Sequence, residues 1–182
     1  MLAAFRRVFA LNGIGKGTKL AIISETQSRP VLIQLCELAA YDLGAEFCMI
    51  QMPTPPQSAP VPVKSTGTSW AIQQNRAVIE ALKLVDVVVD CTVEGLIHAP
   101  EWPEIEAAGR TRLLVITNEH PEILERTEPR AEHGPKVELG IQMLREASEM
   151  RVTSALGTDL LVDLRGAPCG GTAGFATTPG AV

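Results

Sequence analysis

His98 is the residue whose type and position in the sequence together point to catalysis. It lies in the loop GLIHAPE, which follows the β-branched run Val87–Val89 that predicts a buried strand. In a sheet covered by helices on both faces, ligands gather beyond the carboxyl ends of the strands. Because an imidazole there can accept or release a proton near neutral pH, we expect His98 to act as an acid or a base.

Two carboxylates lie close enough to His98 in sequence to orient its ring. Glu94 is four residues before it and Glu101 is three residues after it. Such pairs also arise by chance at a turn from loop to helix, and a lone histidine in a loop often has a surface or capping role. The residues alone leave both interpretations of His98 open.

A second candidate is an iron site formed by His120, Glu122 and His133. Iron(II) oxygenases often bind their metal through two histidines and one carboxylate. However, His120 and Pro121 are predicted to open a helix, and His133 lies in a charged turn, where solvated side chains are normal. The local context therefore argues against a metal site in this segment.

The stretch GIGKGTKL looks like a phosphate-binding loop, but its glycines precede the first predicted strand instead of following it. We therefore predict a tight turn there. No G-x-S-x-G, C-x-x-C, H-E-x-x-H or G-x-G-x-x-G motif follows a predicted strand.

Composition excludes two classes of partner. The formal net charge is −5 and the lysines and arginines are scattered, so we expect no nucleic acid partner. No run approaches the roughly 18 apolar residues that cross a bilayer, so we expect no membrane partner. The four cysteines are widely spaced and three of them lie in apolar segments, which favours reduced, buried thiols and a cytoplasmic location over disulfides or a zinc site: Cys36, Cys48, Cys91 and Cys169.

The elements that position His98 alternate between helix and strand, which predicts a three-layer α/β domain with a mostly parallel sheet, Rossmann-like but without a dinucleotide fingerprint. The predicted strands are residues 19–24, 46–51, 86–91, 113–117, 151–155 and 160–164. The predicted helices are one closed by Asn12-Gly13, one from Pro30 to Gly44, one over residues 70–84 capped by Thr68 or Ser69, one around residues 102–108, a short one from Pro121, and one over residues 137–150.

Two stretches are predicted to lie outside this alternation. The proline-rich residues 53–67 are expected to form an exposed loop. Residues 1–166 are expected to form the α/β domain, and the Gly/Ala/Thr-rich residues 167–182 are expected to be a linker toward a further C-terminal domain.

The pattern of these motifs resembles a known family. The stretches ALKLVDVVVDCT, GLIHAPE, RLLVITNEHPEIL and RVTSALGTDL are similar to the N-terminal half of the 2,5-dihydroxypyridine 5,6-dioxygenase family, which is related to the aminopeptidase T-like metallopeptidases. The resemblance implies that His98 acts beside a small aromatic substrate, with O2 as co-substrate. It also implies that Fe(II) is held by one Glu, one His and one Asp of a C-terminal domain, with no metal or cofactor ligand among residues 1–182. We further expect a homo-oligomer.

One segment departs from the dioxygenase pattern. After Asp159, the residues LLVDLRG look more like the peptidase relatives. The alternatives are therefore an aminopeptidase T-like metallopeptidase domain, or a non-catalytic interaction or oligomerisation module.

Overall fold

A computed structural model describes residues 1–56 and 69–179. Its elements, in chain order, are α1 (Leu2–Leu11), β1 (Lys19–Glu25), α2 (Pro30–Asp42), β2 (Glu46–Met52), α3 (Arg76–Leu82), β3 (Val87–Cys91), α4 (Trp102–Ala107), β4 (Arg112–Val115), α5 (Pro121–Arg126), α6 (His133–Glu146), β5 (Glu149–Thr153) and β6 (Asp159–Asp163). The chain divides into two units, the first formed by residues 1–128 and 175–182 and the second by residues 129–174.

The first unit is built on a parallel sheet with the strand order β2-β1-β3-β4. Ala21 of β1 lies opposite both Cys48 of β2 and Val88 of β3, and β3 also pairs with β4, so β1 and β3 are the inner strands. Every residue of β3 is buried, because helices cover both faces of the sheet at this strand.

Two apolar clusters fill the space between the sheet and its helices. One cluster packs α1 and α2 against one face, with Phe5, Phe9 and Val89 among its fully buried side chains. The other packs α3 and α4 against the opposite face through side chains that include Leu82 and Ile105. The predicted three-layer, Rossmann-like α/β fold is confirmed.

Helix boundaries follow the predicted signals in most places. Helix α1 ends before Asn12, and Gly13 adopts a left-handed φ of 69° that few other residues tolerate. Pro30 begins α2, where its missing N–H would have had no helical partner in any case. Gly44 follows the end of α2 with the same φ of 69°.

The prediction of a helix over residues 70–84 is wrong in its first half. Helix α3 begins only at Arg76, and the Asn75 side chain caps it by accepting a hydrogen bond from the backbone nitrogen of Val78. Ser69 does not cap α3, which begins at Arg76; its hydroxyl donates to the Glu25 carboxylate at 2.7 Å and accepts from the backbone nitrogen of Ala71 at 3.1 Å. The alternative cap, Thr68, lies outside the described residues, as does most of the predicted loop 53–67.

The second unit contains α6 and an antiparallel hairpin. Strands β5 and β6 pair from Glu149 with Asp163 to Thr153 with Asp159, about a turn in which Gly157 has a φ of 96°. A hairpin was predicted here, but its strands begin two residues and one residue earlier than predicted, at Glu149 and Asp159. The preceding helix ends at Glu146 instead of continuing to Met150, because Ala147 is extended and Met150 already belongs to β5.

Residues 167–179, the described part of the predicted linker, contain no helix or strand. Residues 175–179 belong to the first unit, where the backbone nitrogen of Ala176 donates to Oδ1 of buried Asn12 at 2.9 Å. The boundary between a domain at residues 1–166 and a linker at residues 167–182 stays a prediction.

The helices within the described ranges are all too short or too polar to reach across a membrane.

The four cysteines are free thiols, of which Cys36 and Cys91 are buried, their sulfurs 3.6 Å apart. Cys48, on the edge strand β2, is exposed, so the prediction of a buried thiol is wrong there.

Candidate active site

A cluster of buried polar side chains lies at the carboxyl edge of the parallel sheet. Strand β1 ends at Glu25 and β3 ends at Cys91, and both lead into loops at this edge. Polar groups buried in an apolar domain must find hydrogen-bond partners, so this concentration indicates a built arrangement. Its members are Ser24, Glu25, Ser28, Ser69, Asp90, Thr92 and Glu94.

Ser28 joins the ends of the two inner strands. Its hydroxyl accepts a hydrogen bond from the backbone nitrogen of Glu25 at 2.8 Å. The same hydroxyl donates to the backbone oxygen of Cys91 at 2.6 Å. One side chain thereby satisfies a buried donor of β1 and a buried acceptor of β3, and it holds the strand ends at a fixed separation.

Asp90 is a fully buried carboxyl group within β3. Its Oδ1 accepts from the backbone nitrogen and the hydroxyl of Thr92 at 2.9 Å and 2.6 Å, and its Oδ2 accepts from the backbone nitrogen of Leu96 at 2.6 Å. Burial raises its pKa to about 6, with a smaller contribution from the nearby Glu25, while the hydrogen bonds from Thr92 and Leu96 oppose that shift. At neutral pH the ionised form therefore predominates.

Glu25 is the second buried carboxyl group of the cluster, with 1% of its surface exposed. Its Oε1 accepts from the hydroxyl of Ser69 at 2.7 Å and from the backbone nitrogen of Val93 at 3.3 Å. Its Oε2 is buried and has no hydrogen-bond partner within the described residues. Glu25 thus connects the end of β1 to two different loops.

His98 lies on the loop that these carboxyl groups hold. Leu96 and Ala99, on either side of it, are buried, whereas the His98 side chain is exposed. Within the described residues His98 makes no hydrogen bond or ion pair, so neither Glu94 nor Glu101 orients its ring. His98 lies beyond a buried strand, as the sequence predicts. Only the backbone of its loop positions the ring.

The alternative iron ligands are not brought together in a metal site. Nδ1 of His120 lies 3.9 Å from Glu122 Oε2, and both side chains are more than half exposed. His133 Nδ1 accepts a hydrogen bond from the backbone nitrogen of Arg130 at the start of α6. Over residues 1–56 and 69–179, no group of three or more His, Cys, Asp or Glu side chains could hold a metal ion.

The glycine-rich stretch before β1 forms the predicted tight turn. The backbone nitrogen of Gly15 donates to the hydroxyl of Thr18 at 3.1 Å, and Gly17 has a φ of 83°. This turn leads into the amino end of β1, whereas the polar cluster lies at the carboxyl end. It therefore contributes no group to the candidate site.

Sequence reasoning missed Asp90, Glu25 and Ser28. A signal existed for the first two, because each charged side chain interrupts or ends an apolar strand, in VVVDC and in LAIISE. Charged residues at the carboxyl ends of buried strands are candidates for a site in this class of sheet. Ser28 carried no comparable signal, because its bonding partners follow from the tertiary fold.

The domain is a Rossmann-like α/β domain, with a parallel sheet between two layers of helices. Its candidate site lies at the carboxyl edge of the sheet, in the loops beyond β1 and β3. A family model for 2,5-dihydroxypyridine 5,6-dioxygenase matches residues 1–182, and the chain belongs to that family.

Two relatives locate the chain within the family. The 2,5-dihydroxypyridine 5,6-dioxygenase of Pseudomonas putida KT2440 is 27% identical over 180 residues, which are 97% of this chain and 50% of that protein. The solved structure of a 2,5-dihydroxypyridine dioxygenase from Pseudomonas putida KT2440 matches with a TM-score of 0.84 and 26% identity, over 99% of this chain and 51% of that one. The chain thus spans about half the length of the relatives it matches.

Proposed function

We propose that this chain is the N-terminal part of a ring-cleaving dioxygenase that acts on a hydroxylated pyridine such as 2,5-dihydroxypyridine, with O2 as co-substrate. The observation that carries the proposal is the exposed His98 on an anchored loop at the carboxyl edge of the sheet, in a member of the dioxygenase family. A small aromatic substrate is the proposed ligand of this edge.

His98 is the proposed acid–base group of the reaction. The imidazole accepts the proton of a ring hydroxyl, and the hydroxyl oxygen keeps the electron pair of the broken O–H bond. The ring becomes richer in electrons and hence more readily oxidised by O2. Exposure of His98, and the absence of a hydrogen bond from its ring within the described residues, leave both ring nitrogens free to meet a substrate.

The resemblance to the dioxygenases suggests Fe(II) as the cofactor of the complete enzyme. The described residues do not fit that metal, because they contain no suitable group of three ligands. We therefore propose that the iron ligands lie outside residues 1–182, and that this chain is inactive on its own. A homo-oligomeric, cytoplasmic enzyme is also proposed, and four free thiols support a reducing compartment.

The test compares two histidine variants in the full-length dioxygenase that carries this chain. The enzyme is loaded anaerobically with Fe(II), and O2 uptake is followed with 2,5-dihydroxypyridine over a range of pH. His98→Ala is expected to lower kcat by about 10²- to 10⁴-fold, the usual contribution of a positioned acid–base group.

His120→Ala is the matched control, because His120 is also exposed and its side chain does not cap α5. It should retain wild-type kcat and pH profile. Unchanged turnover and an unchanged pH profile in His98→Ala would refute the proposed role. A loss in His120→Ala as large as that in His98→Ala would also refute it, because the effect would then not be specific to His98.

A further inference from the structure

The loop of residues 92–98 is held by two buried carboxyl groups, one from each inner strand. We propose that Asp90 and Glu25 are positioning residues that fix the place of His98 through the backbone of this loop. The inference rests on the proposed function, since it assigns a purpose to the anchoring of the proposed acid–base group. Neither residue is proposed to touch the substrate.

Asp90 provides the more rigid anchor. Its backbone is fixed between β1 and β4, where it pairs with Ile23 on one side and Val115 on the other. Its backbone oxygen also accepts from the nitrogens of Ile116 and Thr117. Oδ2 then holds the nitrogen of Leu96 at 2.6 Å, two residues before His98. The central strand is thus connected to His98 by one short bond and two residues of chain.

Glu25 provides an anchor from the neighbouring strand. Its Oε1 binds the nitrogen of Val93, at the beginning of the loop, and the hydroxyl of Ser69. The backbone nitrogen of Ser69 in turn donates to the oxygen of Gly95 at 2.6 Å. Glu25 therefore holds the loop at Val93 directly and at Gly95 through Ser69.

These anchors matter because the His98 side chain makes no bond of its own within the described residues. Its ring can be placed only through the backbone of its loop. A displacement of about 1 Å in a reacting group can cost roughly 10²-fold in rate, so loosening either anchor affects catalysis without removing a catalytic group. Buried charge-assisted hydrogen bonds are suited to this task, because they are shorter and stronger than neutral ones.

The two carboxyl groups give opposite expectations for amide substitution. Both oxygens of Asp90 accept hydrogen bonds, so Asp90→Asn replaces one acceptor by an NH2 group and breaks the bond to Leu96 or those to Thr92. Only one oxygen of Glu25 accepts, so Glu25→Gln retains both bonds when its amide nitrogen takes the place of Oε2. Glu25→Ala removes the anchor entirely.

The first readout is the position of His98 in the 182-residue chain. The chain has three histidines, so its imidazole Cε1–H signals are easily assigned by NMR. Asp90→Asn and Glu25→Ala should shift and broaden the His98 signal and speed hydrogen exchange at the Leu96 or Val93 amide, while the His120 and His133 signals stay in place. Glu25→Gln should match the wild type.

Asp86→Asn is the matched control, because Asp86 anchors the amino edge of the same sheet. Its Oδ2 accepts from the nitrogen of Lys19 at 2.9 Å, and its Oδ1 accepts from Arg110. This variant weakens an aspartate anchor at the opposite, more exposed edge and should leave the His98 signal unchanged. If Asp90→Asn fails to fold, the pair Glu25→Ala and Glu25→Gln still tests the inference.

The second readout is kcat in the full-length enzyme. It should fall roughly 10- to 10²-fold in Asp90→Asn and Glu25→Ala, with KM nearly constant. In Glu25→Gln, kcat should return to the wild-type value. An unchanged His98 signal in the folded Asp90→Asn and Glu25→Ala variants would overturn the inference. Failure of the proposed function appears elsewhere, as undiminished turnover in His98→Ala. A shifted His98 signal together with a lower kcat supports both.

Discussion

Oδ2 of Asp90 accepts a 2.6 Å hydrogen bond from the backbone nitrogen of Leu96, although Asp90 lies in the interior of the sheet, where an ionised carboxylate is costly. The bond is strongest when Asp90 is ionised, whereas burial favours the protonated acid. The site and the stability of the fold therefore make opposite demands on one side chain.

The first prediction concerns the pH dependence of folding. The pKa of Asp90 is raised from 3.8 to about 6, so the folded protein binds this proton more tightly than the unfolded chain does. The protonated form therefore adds to the free energy of unfolding. That contribution is fully present below pH 3.8 and is lost as pH rises through 6. A shift of this size corresponds to about 3 kcal/mol. Urea unfolding between pH 3.5 and 7.5 should show this fall in the wild type relative to Asp90→Asn, which cannot titrate. A constant difference between the two proteins across that range would contradict it.

The second prediction concerns Gly95, whose φ of 81° places it in the left-handed region. Gly95→Ala should lower the free energy of unfolding by about 1–2 kcal/mol, because a Cβ disfavours this conformation. It should also disturb the loop that carries His98, since the oxygen of Gly95 accepts from Ser69.

Gly109→Ala is the control for that prediction. Gly109 follows α4 with a φ of 71°, and a Cβ there would meet no atom within 4 Å. Its unfolding free energy should fall by a similar amount, while the His98 NMR signal stays in place. Equal effects of both variants on His98 would show that the signal reports general destabilisation.

The third prediction concerns Ser28, which joins the ends of β1 and β3. Ser28→Ala leaves the nitrogen of Glu25 and the oxygen of Cys91 without this partner, and an unsatisfied buried polar group costs about 1–3 kcal/mol. Chemical denaturation should detect this loss. Thr26→Ala, two residues away, removes exposed hydrogen bonds with Thr54 whose groups water can satisfy, so it should cost clearly less. Equal losses in both variants would mean that the hydrogen bonds of Ser28 to β1 and β3 contribute no more to the free energy of unfolding than those of an exposed hydroxyl.

The fourth prediction concerns Asn12, which holds the segment of residues 175–179. Its Nδ2 donates to the oxygen of Val8, and its Oδ1 accepts from the nitrogen of Ala176. Asn12→Ala should abolish the hydrogen-exchange protection of the Ala176 amide and hasten proteolysis near this segment. Wild-type protection of Ala176 in the variant would show that Asn12 does not hold the segment.

Local signals in the sequence predicted the framework of the fold. The run Val87–Val89 is buried on both faces and forms β3, and Gly13 and Gly44 end helices where their freedom of φ is needed. The place of His98 beyond β3 was predictable for the same reason, because it depends on one strand and the loop that follows it.

Long-range hydrogen bonds explain what the sequence did not reveal. The start of α3 was mispredicted because Asn75 caps the helix, whereas Ser69 accepts from the nearby nitrogen of Ala71 and donates to Glu25, a residue 44 positions away in the chain. The bond between Glu25 and Val93 spans 68 positions. Such partners compete with local caps and turns, and no periodicity or propensity within a short window contains them.

The strand order β2-β1-β3-β4 has a consequence for ligand selection. From β1 the chain passes to β2 on one side of β1, and β3 then lies on its other side. The boundary between β1 and β3 is therefore a topological switch point. Open α/β sheets commonly bind nucleotide phosphates in the crevice at such a point. Here Ser28 joins the two strand ends, and the carboxyl groups of Glu25 and Asp90 lie buried beside it. The buried negative charge of Asp90 beside this crevice opposes the binding of a phosphate anion there, so the position that the strand order offers to nucleotides carries an unfavourable charge for them.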